Sequence, residues 1–271
     1  MKTILFPTDF SERANQALEQ AITIAEKADA KLIIYHTYHR PVIEGEPLNQ
    51  MNQRLLQLEE DIERRFQKLS QQNSKLEALN YEFRKELGVS IENIANVANS
   101  EEVHLIVMAT KGAKGFGELW GTKTARIIKS VNVPVLVLPD NTLLDAINKV
   151  GLVCDYSEKT NYHTLDSMLK LVDMLQLGVD VITLNRDEKT MTHEEEANRQ
   201  LVREKLKNVP ATFHFTWHNK VEEGIIAFTK AHDIGMIAIL PKSYSFIEKL
   251  FRESLTEKMA FHSPVPLLVL K

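Results

Sequence analysis

Short apolar runs alternate along this chain with longer stretches in which apolar residues recur every three or four positions. The runs at 3–6, 31–38, 103–108 and 134–138 predict buried strands, and 80–86 alternates as a strand does, with Tyr81 and Phe83 on one side. Between them, Ala14, Ala17, Leu18, Ala21, Ile22 and Ala25 mark the inner face of a helix up to about Lys27. Leu48, Met51, Leu55, Leu58, Ile62, Phe66 and Leu69 mark a long helix whose stripe suits covering a sheet. Shorter helices are predicted over 90–98, with Ser90 as its cap, and over 122–131. Strands that alternate with helices predict a parallel α/β sheet.

The plan then restarts. Pro139, Asp140, Asn141 and Thr142 form a natural break. Strands follow at 149–154, 179–184, 211–217, 234–240 and 266–270, with helices near 155, 192–207, 221–231 and 246–261. Asp9, Phe10, Ser11 and Glu12 match Asp155, Tyr156, Ser157 and Glu158, and the run 133–138 matches 265–270. Carried back without a gap, the second match sets Thr122 on Ser254, Thr124 on Thr256 and Met108 on Leu240. The chain therefore reads as two copies of one five-stranded domain, 1–140 and 147–271.

Composition narrows the classes of function. A net charge of −4 supplies no global basic field to recruit nucleic acid. The single cysteine, Cys154, excludes an intrachain disulfide and any multi-cysteine metal site, and suits a small thiol ending a buried strand. No long uncharged span or signal-peptide core is visible, so the expectation is a cytoplasmic protein without membrane contact.

One stretch carries candidate chemistry. Behind the strand at 103–108 lie Gly112, Gly115, Gly117 and Gly121, with Lys111, Lys114 and Lys123 around them and a predicted helix from Thr122. Glycines let backbone approach a ligand, and N–H groups in such a loop ahead of a helix N-terminus favour an anion. It is not a Walker loop, because Glu118 and Leu119 stand where Lys and Ser or Thr are needed. Asp9 and Glu12 have the spacing of a capping box. His36 with His39, and His214 with His218, sit at strand-like alternation without a convincing third ligand for a metal. Trp120 plugs the loop or docks a partner. No hydrolytic constellation stands out, which argues against an efficient enzyme.

The opening strand ending in Pro7, Thr8 and Asp9, the glycine loop after the fourth strand, and the Val-Pro-Val-Leu-Val run beginning at Val133 together resemble a tandem universal stress protein. The resemblance implies a sheet in order 3-2-1-4-5 with helices on both faces, and ligands at the carboxyl ends of strands one and four. Nucleotide-binding members carry Gly, two residues, Gly, nine residues, Gly, then Ser or Thr. Here the first position is Ala109, the second Gly112, the gap eight residues, and the third Gly121 followed by Thr122.

Position by position, the resemblance assigns Asp9 and Thr37 to ribose and adenine. It assigns Gly112, Gly121, Thr122 and Thr124 to phosphates, with Lys123 contributing its backbone N–H. Lys111 and Lys114 join on charge alone. ATP or another adenine nucleotide is the implied ligand, with Mg²⁺ or Mn²⁺ as its natural companion. In the second copy the gapless register puts Pro241, Tyr244 and Glu253 where Ala109, Gly112 and Gly121 stand, so no nucleotide is expected there.

The favoured function is a regulatory nucleotide binder that also meets a protein partner. The alternatives are a nucleotide-independent stress-response scaffold and a slow ATP hydrolase. The family's dimers imply that the two fifth strands meet within the chain as a pseudo-dimer, with a further homodimer optional.

Overall fold

A computed structural model describes residues 1–40, 47–109, 122–156, 161–185, 191–219, 221–240 and 265–271. By compactness the chain divides into two units, Met1–Met108 and Ala109–Lys271.

In the first unit β1 (Thr3–Pro7) leads into α1 (Glu12–Ala28), β2 (Lys31–Tyr38), α2 (Leu48–Gln72), β3 (Tyr81–Leu87), α3 (Ser90–Ser100) and β4 (Leu105–Ala109). The strands lie in the order β3-β2-β1-β4 and pair in parallel, Pro7 beside Tyr35 and Tyr35 beside Arg84. Ile4, Leu5, Phe6, Leu32, Ile33 and Ile34 are fully buried, as expected of a parallel sheet covered on both faces. The α2 stripe covers the sheet only with its later turns. Ile62, Phe66 and Leu69 are buried, whereas Leu48 is 75% exposed.

The second unit continues with α4 (Thr122–Ser130), β5 (Val135–Leu138), β6 (Lys149–Val153), α5 (Leu165–Leu175), β7 (Gly178–Leu184), α6 (His193–Lys205), β8 (Ala211–Thr216), α7 (Val221–Ala231), β9 (Met236–Ile239) and β10 (Leu267–Val269). The order β8-β7-β6-β9-β10 is 3-2-1-4-5, as expected. Within this unit β5 also pairs antiparallel with β10, Leu136 beside Leu268, so the two fifth strands meet as expected. Each of the two is a short apolar edge, and pairing satisfies N–H and C=O groups that a bare edge would leave open. The connector after β5 is not a free linker, since Leu144 and Ile147 are buried and Thr142 donates to the Pro139 carbonyl.

The strand registers also correct the gapless alignment of the repeats. Ile4 lies beside Leu105, and its counterpart Val150 lies beside Met236. Hence Ala109, not Met108, matches Leu240. The fifth strands still match Leu136 to Leu268, so the first copy is one residue shorter between its fourth and fifth strands.

Candidate functional site at the carboxyl ends of the strands

Asp9 follows β1, at the end of the sheet where α/β folds place ligands. The turn that holds it is tightly specified. Phe10 adopts a positive φ of 61°, its N–H donates to Thr8 Oγ (3.0 Å), and the Ser11 N–H donates to Asp9 Oδ1 (3.0 Å). A non-glycine residue in that region costs of order 1 kcal/mol, and it persists only where its surroundings over-determine it. Here the Phe10 ring packs 4.5 Å from His36 and 5.1 Å from Phe66, and Phe66 stacks on Phe83. His36 is thereby absorbed into the turn, its Nδ1 2.8 Å from the Thr8 carbonyl.

The capping box expected at Asp9 is not what forms. Ser11 caps α1, accepting from the Ala14 N–H at 3.2 Å, while Asp9 is spent on the turn before it and remains exposed. Two good cap residues stand two positions apart, and the aromatic anchor at Phe10 selects the later one. Ser90 likewise is not a cap. Val89 holds that position in α3, and Ser90 accepts a 2.5 Å hydrogen bond from Thr37 Oγ1. Thr37 thus stands at the end of β2, half-buried, with its hydroxyl fixed toward α3.

Below this pair on the same face, Tyr35 donates to Glu86, and burial followed by that bond pushes its phenol far above the ordinary range. Arg84 then links Glu82 (2.7 Å) to Glu101, with Lys31 closing on Glu82 at 2.5 Å. Bonds from Arg84 and Lys31 hold the Glu82 carboxyl down at about 2. Across β2 and β3 the polar groups on this face pair with one another, beside the apolar core of Leu5, Ile33 and Ile94.

Of the residues predicted for the phosphates, Lys111, Gly112, Lys114 and Gly121 lie outside the described residues, as does Trp120. Ala109 ends β4, half-buried. Thr122 opens α4, with its side chain outside the described residues; Lys123 is exposed and Thr124 is buried at 6%. Ile127 and Ile128, fully buried, anchor that helix.

The second unit repeats the turn but not the chemistry. Tyr156 takes φ 57°, matching Phe10, and the Cys154 N–H donates to Ile182 as that of Thr8 donates to Tyr35. Those bonds fix the register, so Leu184 stands where Thr37 does. The helix ends, Glu101 on Val97 and His232 on Phe228, set Val221 against Ser90. The hydroxyl pair has become an apolar pair. Leu184 is buried against α7 so closely that a Cβ on Gly224 would lie 2.5 Å from its Cδ2. Burial pushes the Tyr156 phenol up to about 12. Ser157 and Glu158, and the Pro241, Tyr244 and Glu253 positions, lie outside the described residues.

The sequence pairing of His214 with His218 is not what the sheet assembles. His218 lies 3.9 Å from Glu223, with its backbone N–H held by Asn185. His214 instead faces Asp180 and His232, a grouping that 34- and 18-residue separations conceal. The available signal was Asp180, a carboxylate inside an apolar run. No described helix is long and apolar enough to cross a membrane.

A family model described as the universal stress protein family matches residues 1–139 and 169–271. The chain belongs to the universal stress protein family. It carries the family unit in tandem, with matches in both halves. A universal stress protein of Methanocaldococcus jannaschii is 28% identical over 152 residues, which are 51% of this chain and 94% of the relative. One from Thermus aquaticus is 29% identical over 143 residues, 51% of this chain and 98% of that protein. Each curated relative thus corresponds in length to about half of this universal stress protein. A solved universal stress protein from Archaeoglobus fulgidus superposes with a TM-score of 0.71 at 18% identity, covering 99% of this chain and 98% of its own, which establishes the shared fold.

Proposed function

We propose that this universal stress protein binds an adenine nucleotide in its first repeat as a regulatory ligand, and that its second repeat binds none. The observation that carries the reading is the contrast at equivalent strand ends. Thr37 and Ser90 offer hydroxyls beside β2 in one copy, while a buried Leu184 and a half-buried Val221 stand at those positions in the other. Asp9, exposed and aimed by an anchored turn, takes the ribose, and Thr37 takes the base side. Backbone N–H groups at Gly112, Gly121 and Lys123, with the hydroxyls of Thr122 and Thr124, take the phosphates, and Lys111 and Lys114 add charge. Ala109 stands at the first motif position, where its methyl limits how closely the backbone approaches phosphate. A hard divalent ion, Mg²⁺ or Mn²⁺, accompanies phosphate oxygens when bound.

The chain's own groups bind and orient. In this reading the ligand acts by occupancy rather than turnover. Nucleotide bound at the stretch 109–124 changes the surface offered to a protein partner. The antiparallel β5–β10 pair supplies within one chain the contact that a dimer of single units would make.

Thermal unfolding with ATP, ADP and AMP, with and without Mg²⁺, tests this. Ligand at a hundred times its dissociation constant adds roughly 2.7 kcal/mol, or about 5–10 °C for a domain of ordinary size. No shift at millimolar concentrations removes the nucleotide and leaves a scaffold. Phosphate release that is lost in Thr122→Ala replaces the binder with a hydrolase.

A further inference from the structure

We propose that Asp180, His214 and His232 form a binding site for a divalent transition ion, with Zn²⁺ the best match. Asp180 lies on β7, His214 on β8, and His232 directly after α7, so the three come from separate elements of the second unit. Asp180, near the amino end of β7, and His214, midway along β8, share the sheet face covered by α7, and His232 follows the end of that helix. One ligand atom from each falls within 4.8 Å of the others.

The donor set is already part-assembled. His214 Nε2 lies 3.4 Å from Asp180 Oδ1, and a tetrahedral zinc with bonds of about 2.0–2.1 Å sets its donors about 3.3 Å apart. Two observations argue that this is more than a chance contact. His214 Nε2 is buried with no hydrogen-bond partner, a state that costs about 1–3 kcal/mol unless something else satisfies it. Asp180 is 4% exposed and splits its oxygens, Oδ2 to Lys149 at 3.3 Å and Oδ1 toward the histidines. The His232 ring stacks on Phe228 at 3.9 Å, and His214 meets Phe228 edge-on, so the imidazoles are braced on an apolar wall. Two imidazoles and a carboxylate suit a borderline ion better than Mg²⁺ or Ca²⁺, with water in the fourth position.

The first unit shows what this place needs. The strand registers set Arg84 against His214, and the helix ends set Glu101 against His232. There the guanidinium, a built-in cation, ties Glu82 to Glu101. In the second unit no guanidinium bridges β8 to the end of α7 among the described residues. A bound ion supplies the positive charge instead and ties β7, β8 and α7 together. Lys149 beside Oδ2 opposes it by charge, but its half-exposed side chain is able to turn to solvent.

The test uses the tag-free full chain, stripped with EDTA, dialysed, and titrated with Zn²⁺ against a chromophoric chelator. One tight equivalent is expected, with a rise in melting temperature on addition of Zn²⁺. Co²⁺ in its place is expected to give the visible absorption of a four-coordinate site. His214→Gln and His232→Gln each lower the affinity at least about tenfold and abolish the thermal shift, whereas His163→Gln, an exposed residue, changes neither. His232 is half-exposed, so its variant folds even where substitution at His214 disturbs the core. Absence of stoichiometric micromolar binding, or equal affinity in wild type and His232→Gln, overturns the site. Nucleotide-induced stabilisation is unaffected by these variants, so this proposal and the nucleotide reading fail separately.

Discussion

The α3 face of the first unit and the α7 face of the second are built on one backbone plan and hold opposite chemistry. At the strand ends, Thr37 and Ser90 face Leu184 and Val221 across the repeat; one level down, Tyr35 and Glu86 face Ile182 and Thr216. Further from the strand ends, the Arg84 network faces Asp180 with two histidines. The turn after the first strand is held in both, with positive φ at Phe10 and Tyr156. The difference teaches that a duplicated fold retains its turn, which the backbone requires, while the side chains around it are free to diverge. One copy keeps paired hydroxyls at this edge, and the other makes the edge part of its core with a buried leucine.

The largest expected effect lies at that converted edge. Leu184→Ala removes a buried side chain wedged over Gly224 and is expected to destabilise the second unit by about 2–5 kcal/mol in urea unfolding. A loss below about 0.5 kcal/mol would show that the apolar pair is not core. Next, Arg84→Met leaves Glu82 and Glu101 without their shared cation and is expected to cost about 1–2 kcal/mol at neutral pH.

The same variant sharpens the comparison by pH. The folded pKa of Glu82, about 2, lies below its unfolded value of about 4.3, so its stabilisation is present above the unfolded pKa. It is lost progressively as pH falls toward 2. Arg84→Met raises the folded pKa and moves the acid transition, followed by circular dichroism, to higher pH. An unchanged acid midpoint contradicts the network.

Smallest in stability are the two residues of the first turn, and they separate from each other. Ser11→Ala, which removes the cap of α1, is expected to cost about 1 kcal/mol without affecting nucleotide affinity. Asp9→Ala removes the exposed turn bond from the Ser11 N–H and is expected to cost about 0.5 kcal/mol, yet to weaken nucleotide binding strongly. Equal behaviour of the two variants in both assays removes the ligand role of Asp9.

Much of this was legible in the chain itself. Apolar runs closed by Pro7 and Pro139 placed β1 and β5, and the recurring Asp-aromatic-Ser-Glu motif announced the duplication. What escaped depended on contacts between elements distant in sequence. Asp9 and Ser11 are equally good caps, and only the Phe10–Phe66 packing decides between them. The one-residue offset at Ala109 is invisible to an alignment carried through dissimilar loops, but hydrogen-bond registers fix it. His214 and His232 share no motif spacing; β8 and the end of α7 bring them together. The exposure of Leu48 was likewise hidden, because the apolar stripe runs on beyond the sheet it covers.

Transplanting the second repeat's edge into the first tests the contrast most directly. Calorimetric titration of ATP is run into the wild-type chain and into the Thr37→Leu, Ser90→Val double variant, with folding checked by circular dichroism. One site per wild-type chain, lost or weakened at least about tenfold in a folded double variant, is the predicted result, since roughly 1.4 kcal/mol of lost contact suffices for that factor. Two sites in the wild type, none at all, or undiminished affinity in the double variant would contradict the account.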